Sequence, residues 1–545
     1  MKGKSFCEQN ARERARVLLD HGTFRELLDP FARLESPHLP PQGIVPQSDD
    51  GVVVARGTIR AKEALVVSIE GGFQGGSIGE VGGAKIAGAL EMALRDSARG
   101  RPVISVLVLD TGGIRLQEAN LGILALSEIH AAIVELREYV PVVGVIAGKI
   151  GCFGGMGIAA ALCSLLVGTE IGRLGLNGPE VIEQEAGIAE FDATDRQLIW
   201  KIMGCRRRME IGQIDLLVQD SDTVLAEAIA EYCEKTLLEP AEARVPRTRQ
   251  IESQLKKISD YPILPRILEN TALPARTSVH SRGLLWFQAL TGNSAVTPGA
   301  GAVLASDVQW GGETVRAIVV VPNPVARFPR ARDGQVGIEE GWEIARLVRE
   351  AMTADEGREK RTLLAIVDVP GQAFGINEEI LGLHLSLAAA VDAYATARRA
   401  GHPTVALIVG KAISGAFLAH GLQCGQILAL NDENIEVHVM SEASVARITR
   451  RSPEEITSLA RLVRATARGI RSFASLGAVD QLVNCDHSHS IDAYCVANVR
   501  SKILQAIGEI RLFPREPKMR LDSPASQESR KMSSVVRKAL EAEWG

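Results

Sequence analysis

Glycine turns stand at the places where this chain could do chemistry. Thr111-Gly112-Gly113-Ile114-Arg115 follows an apolar strand, VISVLVLD, ending at Asp110, and precedes a long apolar helix. Cys152-Phe153-Gly154-Gly155-Met156-Gly157 repeats the device after PVVGVIAGK. A helix start carries N–H groups with no intrahelical partner and a partial positive charge, and glycine lets a carbonyl approach the backbone. Such donors stabilise an oxygen that gains charge during acyl chemistry at a thioester. Gly112, Gly113, Gly154 and Gly155 are therefore candidate catalytic positions, against the plainer reading of close backbone packing. A third turn, Ser414-Gly415-Ala416-Phe417, adds Ser414, Gly415 and Ala416. A serine between strand and helix is where hydrolases carry a nucleophile, but no paired base is evident, with His420 further along the same segment and His384 and His438 elsewhere. We expect main-chain donation from Gly415 and Ala416 and no nucleophilic role for Ser414. Arg115 and Gln117 could hold a substrate carboxylate. Lys149 and Lys411, each ending an apolar strand, could meet a carboxylate or phosphate, or simply solvent. Gly371 and His420 complete the candidate substrate-binding set. Cys485-Asp486-His487-Ser488-His489 crowds metal-capable side chains, yet its spacing fits no structural zinc pattern. An exposed loop and no metal are expected there, and His130 reads as a packed helix residue.

The elements that must position these turns occur twice. Asp110 recurs as Asp368, 258 residues on, at the end of LLAIVDV. Lys149 recurs as Lys411, 262 residues on, after PTVALIVGK. The segments CFGGMGIAAALC and SGAFLAHGL follow the two lysines. A repeat of this length implies two tandem copies of one fold. VVVARGTIRAKEALVVSIE alternates like a hairpin with its turn around Ala61-Lys62-Glu63, and GAVLASDVQWGGETVRAIVVVP matches it in copy two. Repeated β–β–α units with helices crossing between roughly parallel strands imply an α/β protein of two tandem crotonase-like, or spiral, domains. A doubly wound sheet is the alternative, but no GxGxxG follows a strand with an acid about twenty residues on.

The chain's 545 residues exceed one core. We expect an N-terminal domain at 1–258, a proline-bearing linker at 259–281, a C-terminal domain at 282–513 and a polar tail at 514–545, partly disordered apart from a last helical turn or two. A net charge of −5 argues against general nucleic-acid binding. The N-terminus lacks the apolar stretch of a signal peptide, and the uncharged run 150–169 is broken by glycines and cysteines. The eight cysteines form no CxxC pair and read as buried thiols in a reducing cytoplasm.

Several segments resemble a known family. GGIRLQE (112–118) and GPEVIEQ (178–184) are similar to signature segments of biotin-dependent carboxyltransferase β subunits, as are ARERARVLLDHGTFREL and GGSIGEVGGAKI to the start of that family. DVPGQAFGINEE (368–379) and GKAISGAFLAHGL (410–422) look like the C-terminal carboxyltransferase half. With VHVMSEASVARITRRSPEEI (437–456), the second half resembles the γ subunit of biotin-independent malonate decarboxylase, and the first half its β subunit. The resemblance covers about residues 9–510 and implies a fused β–γ chain with a crotonase-like fold in both halves. It implies decarboxylation of malonyl held as a thioester on an acyl carrier protein. The cofactor it implies is a phosphopantetheine-type group derived from dephospho-CoA on that partner, with none bound by this chain. A CoA-transferase-like subunit would be a further partner, with no nucleic acid or membrane, and a homo-oligomer is compatible with it. The family's glycine turns carry over to Gly112, Gly113, Gly154 and Gly155, and to Ser414, Gly415 and Ala416. The alternative is the carboxyltransferase of a biotin-dependent acyl-CoA carboxylase. Only Cys7 precedes Cys152, so the four-cysteine zinc ribbon of the bacterial acetyl-CoA enzyme is missing, and EPKMR (516–520) is no biotinylation site. A catalytically silent scaffold that only docks the carrier is a third reading, which intact turns in both copies disfavour.

Overall fold

The computed structural model describes residues 3–237, 248, 281–293, 301–485 and 491–545. It forms two compact units, Met1–Lys256 together with Arg530–Gly545, and Lys257–Ser529.

In the first unit, alternating apolar residues build a hairpin of β2 (Val52–Ile59) and β3 (Lys62–Ile69), with β1 (Arg25–Leu27) antiparallel on the outer edge of β2. The sheet continues in parallel through β4 (Ile104–Val108), β5 (Val142–Ile146), β6 (Leu165–Thr169) and β7 (Leu216–Val218), in that spatial order. Every residue of β4, β5 and β6 is buried, as strands covered on both faces require. Helices Glu80–Ala98 and Ala119–Leu136 form the crossovers. Ala119–Leu136 is long and apolar enough to cross a membrane, but 83% of it is buried inside the protein. The uncharged run 150–169 becomes a turn, the helix Gly155–Leu162 and β6.

The hairpin turn falls slightly earlier than the sequence suggests, at Arg60-Ala61, because Lys62 and Glu63 already pair with Ile59 and Thr58. Both turn residues are left-handed, with φ of 47° and 60°, which matches the twist of a two-residue hairpin. Neither is glycine. The Asp20 carboxylate offsets that strain by accepting the N–H groups of Arg60 (3.0 Å) and Ala61 (2.8 Å).

The second unit repeats the order. β8 (Val303–Trp310) and β9 (Glu313–Val320) form the hairpin, followed by helix Ile338–Ala354, β10 (Thr362–Val369), helix Leu383–Arg399, β11 (Thr404–Ile413), helix Ser414–Ala419 and β12 (Gln426–Leu430). The short β13 (Val437–His438) pairs with β11, and β14 (Gln481–Val483) closes the sheet beyond β12. The two sheets show the tandem α/β architecture expected from the repeat. Of the expected linker 259–281, only Ser281 falls among the described residues.

Two expectations are corrected. The stretch 514–545 holds more than a last helical turn or two: it contains helices Pro524–Ser529 and Lys531–Glu543, and the second belongs to the first unit, with Val536, Leu540 and Trp544 buried. Polar spacing misled the reading, because this helix buries a narrow stripe and meets acidic partners with its arginines. Nor are all eight cysteines thiols. Cys485, after β14, and Cys495, in the first turn of helix Ala493–Leu512, are joined in a disulfide, while the other six are free and buried.

The Arg60-Ala61 turn yields a test. Ala61→Gly should stabilise the chain by about 0.5–1 kcal/mol, since the left-handed penalty of about 1–2 kcal/mol exceeds the entropy cost of glycine. Ala61→Val should destabilise it. Denaturant unfolding of the two variants measures both.

Candidate active site

A carboxylate just past or at the end of a parallel strand organises the turns in each unit, buried in the first (Asp110) and half-buried in the second (Asp368). Asp110, just past β4, accepts the Ile150 N–H at 2.8 Å and a guanidinium N–H of Arg14 at 2.9 Å. Gly148 passes so close that a Cβ there would lie 1.9 Å from the Asp110 carboxyl carbon. In the second unit Asp368 accepts the Lys411 N–H at 3.0 Å and the Gly283 N–H at 2.9 Å. A Cβ at Gly410 would lie 2.1 Å from its carboxylate. The same clamp thus ties the end of β4 to the loop after β5, and the end of β10 to β11.

The clamp brings the first unit's two glycine turns together. Thr111 N–H donates to Gly151 O at 2.7 Å and Phe153 N–H to Thr111 O at 3.0 Å. A Cβ on Gly113 would lie 3.1 Å from the Gly154 Cα, and a Cβ on Gly154 equally close to the Gly113 Cα. Three of the candidate donors are already engaged. Gly112 N–H donates to Gly75 O at 2.9 Å, Gly154 N–H to Leu176 O at 2.7 Å, and Gly113 N–H to Thr111 Oγ1 at 3.0 Å. The donors that no intrahelical bond can satisfy are those of the first turn of helix Gly155–Leu162, beginning with Gly155 and Met156. His130 donates from Nε2 to Gly155 O at 2.8 Å and fixes that turn from behind.

In the second unit Gly371, with φ of 126°, accepts the Val336 N–H at 3.0 Å. Ser414 sits between β11 and its helix with φ of 54°, a left-handed conformation unusual outside glycine. It is half-buried. Gly415 N–H donates to Gln372 Oε1 at 3.0 Å, so that donor is covered by a buried side chain, and Ala416 lies next in the first turn.

Two candidate substrate contacts are corrected. Arg115 is fully buried between Asp50 (2.6 Å) and Glu118 (2.9 Å), with the Phe73 ring 5.1 Å from its guanidinium carbon. It is a structural cation, because desolvating it requires the two carboxylates that hold it. His420 is fully buried, with Nδ1 3.1 Å from Tyr394 Oη and Nε2 donating to Ile366 O at 3.1 Å. Lys149 is exposed and pairs with Glu8 at 2.7 Å. Lys411 is exposed, and Gln117 is half-buried with its carbonyl accepting from Gln42. Among the described residues, no group of three or more His, Cys, Asp or Glu could hold a metal ion. Residues 486–489 of the Cys485–His489 cluster lie outside them. The sequence reading missed Gln372 and the supporting role of His130. Gln372 follows the Gly371 turn directly, whereas His130 lies in the middle of helix Ala119–Leu136, 25 residues from the Gly155 it supports.

Comparison with known proteins follows the same division. Residues 4–257 match the carboxyl transferase domain family and residues 331–544 the malonate decarboxylase gamma subunit family. The malonyl-S-ACP:biotin-protein carboxyltransferase MADC of Malonomonas rubra is 42% identical over 252 residues, which are 44% of this chain and 78% of that protein. The chain belongs to the malonate decarboxylase family. It is a fused subunit of that family, carrying the carboxyl transferase and γ-type regions in one polypeptide. MADD, named as the same activity in the same organism, is 42% identical over 34% of this chain and 61% of its own length. A Pseudomonas malonate decarboxylase hetero-tetramer, solved with malonate, is 54% identical over 50% of this chain and 94% of that one, with a TM-score of 0.46.

The buried groups give two tests. Arg115→Gln should cost about 3–5 kcal/mol of stability by leaving Asp50 and Glu118 unpaired, as denaturant titration would measure. His130 and His420 are each pushed down by burial to about 4 from an ordinary 6.5. The unfolded chain therefore binds their protons first, and stability present above pH 6.5 is lost as pH falls towards 4. A thermal melt series from pH 7 to 5 should fall, with a shallower slope for His420→Asn.

Proposed function

We propose that this chain decarboxylates malonyl carried as a thioester on an acyl carrier protein, releasing CO2 and leaving the acetyl thioester. The observation that carries this reading is the clamped glycine turn opening a buried helix, present in each unit of a malonate decarboxylase family chain. Breaking the bond to the carboxylate leaves an electron pair that spreads onto the thioester oxygen as an enolate. First-turn N–H groups of Gly155 and Met156, or of Ala416 with Gly415 once Gln372 swings away, are donors of the kind that stabilises this oxygen more in the transition state than in the ground state. Loss of one such donor costs about 2.7–4 kcal/mol where it has been measured. The apolar surroundings of both turns also strip water from the departing carboxylate. A proton then adds to the enolate carbon. The thiol that carries the malonyl is a phosphopantetheine-type group on the partner carrier protein, and a CoA-transferase-like subunit exchanges malonyl for acetyl there. A cytoplasmic setting fits the six free thiols.

A second reading is favoured by the names of the Malonomonas relatives, in which the carboxyl group goes to a biotin protein. The two differ in where the carboxyl group ends. Purified complex incubated with malonyl-carrier should release CO2 at an unchanged rate with avidin or EDTA. Loss of release with avidin would establish the biotin route instead.

Ser414→Ala should retain turnover with at most about a tenfold loss, the worth of one hydrogen bond. Gly415→Val should be far worse, because a branched side chain would press on Leu387 and Gln372 and block the carbonyl's approach. A trapped acyl-Ser414 species, or complete inactivity of a folded Ser414→Ala protein, would reassign Ser414 as a nucleophile.

A further inference from the structure

His438 is far from Ser414 in the sequence, and the sheet brings it alongside. β13 runs parallel to β11, with His438 paired to Ile413, the residue just before Ser414. Neighbouring strands lie about 4.8 Å apart, and paired residues send their side chains to the same face. The Ile413 side chain comes within 3.8 Å of where a Cβ on Gly371 would stand, so this face carries the Gly371 turn as well. Gly371, Ile413 and His438 therefore share one face at the strand ends, with Ser414 next in the chain.

The His438 side chain is more than nine-tenths buried, and a cation holds its ring. Arg468 places a guanidinium nitrogen 2.6 Å from Nε2 and donates to the Met440 carbonyl at 3.3 Å. A guanidinium only donates, so Nε2 offers its lone pair and the ring proton sits on Nδ1. The Glu436 carboxylate, 3.4 Å from Nε2, would favour a proton there. The guanidinium nitrogen is closer and bears its own hydrogens, which leaves no room for one. Nδ1 is buried and has no hydrogen-bond partner among the described residues. Burial first, and the Arg468 charge second, hold the pKa of the ring below the ordinary 6.5, against the pull of Glu436 and the Met440 backbone. The imidazole is therefore neutral near pH 7.

This wiring is the reverse of a catalytic base. A base presents a free lone pair and is oriented from behind by an acceptor, whereas the lone pair of His438 is taken by a cation. A Ser414–His438 dyad of the hydrolase kind is excluded by the same bond. A neutral imidazole can still polarise a carbonyl without giving up its proton.

We propose that His438 donates its Nδ1–H to the thioester oxygen as the enolate forms, and that Arg468 is the positioning residue that keeps the proton on Nδ1. The proposal rests on the decarboxylase reading and adds a side-chain donor to the main-chain donors of Gly415 and Ala416. No proton leaves the ring.

Two measurements test it. In 15N spectra of the histidine-labelled full-length chain, assigned with His438→Gln, His438 should be a neutral Nδ1–H tautomer from pH 6 to 8. Arg468→Gln should let the ring titrate near its ordinary value of about 6.5, and Arg468→Lys, which keeps a donor, should restore the fixed tautomer. In the assembled complex, His438→Ala should lower kcat for CO2 release from malonyl-carrier about 10²–10³-fold, the scale for one oxyanion donor. KM should change little, as for a contact made only in the transition state. His438→Gln, whose amide can donate, should recover part of the loss. An Nε2–H tautomer, or a ring that titrates near 6.5 in the wild type, would overturn the proposal without reference to any substrate. A folded His438→Ala protein with wild-type kcat would overturn it as well. A wild-type complex that releases no CO2 from malonyl-carrier would overturn the decarboxylase reading itself, and this donor with it.

Discussion

A carboxylate at the end of a parallel strand, clamped to main-chain N–H groups, is the constraint on which the rest of each unit turns. Parallel strands leave their C-terminal ends as unconnected loops, and something must hold neighbouring loops in register. Asp110 and Asp368 do this with charge-assisted bonds to main-chain N–H groups, which are about twice as strong as neutral ones. The glycines at 148 and 410 exist in that light because the carboxylate fills the space a side chain would need. The two copies satisfy the remaining oxygen differently, the first with the Arg14 side chain and the second with the Gly283 backbone. The clamp has been kept while its supports have diverged.

Once the strand ends are fixed, the backbone has little freedom left. Gly113 and Gly154 touch, His130 holds Gly155 from behind, and Gln372 covers Gly415. Most glycine N–H groups that look free in the sequence are consumed in building the turn itself. The donors that remain belong to the first helical turn, where geometry leaves them over. Preorganised donors of that kind need no rearrangement at the moment charge develops. In the second unit the Gln372 amide oxygen accepts from the Gly415 N–H and caps that donor.

Much of this architecture was readable from the sequence because it is written twice. The offsets from Asp110 to Asp368 and from Lys149 to Lys411 exposed the tandem copies, and the alternation in 52–69 exposed the hairpin. The site was less legible. Arg115 next to a glycine turn looks the same whether it faces substrate or Asp50 and Glu118, since its partners come from residues up to 65 positions away. His420 was similarly ambiguous until Tyr394 and Ile366 closed around it. Helix Lys531–Glu543 was lost for a related reason. Its polar residues read as a solvated tail, because the acids that bury them lie more than 400 positions earlier.

That last helix also sets a schedule. The sheet of the first unit is encoded by residue 218, but Glu80 and Glu128 stay without Ser533, Arg530 and Arg537 until residues 530–537 are made. At about 5–20 residues per second, synthesis of the intervening second unit takes roughly a quarter of a minute to a minute. Throughout that interval the nascent first unit carries an open acidic groove, and the segment that closes it has not yet been made. The first unit is thus sealed by residues 530–544, and a chain that stops before them betrays itself by the uncompensated charge it leaves in its first half.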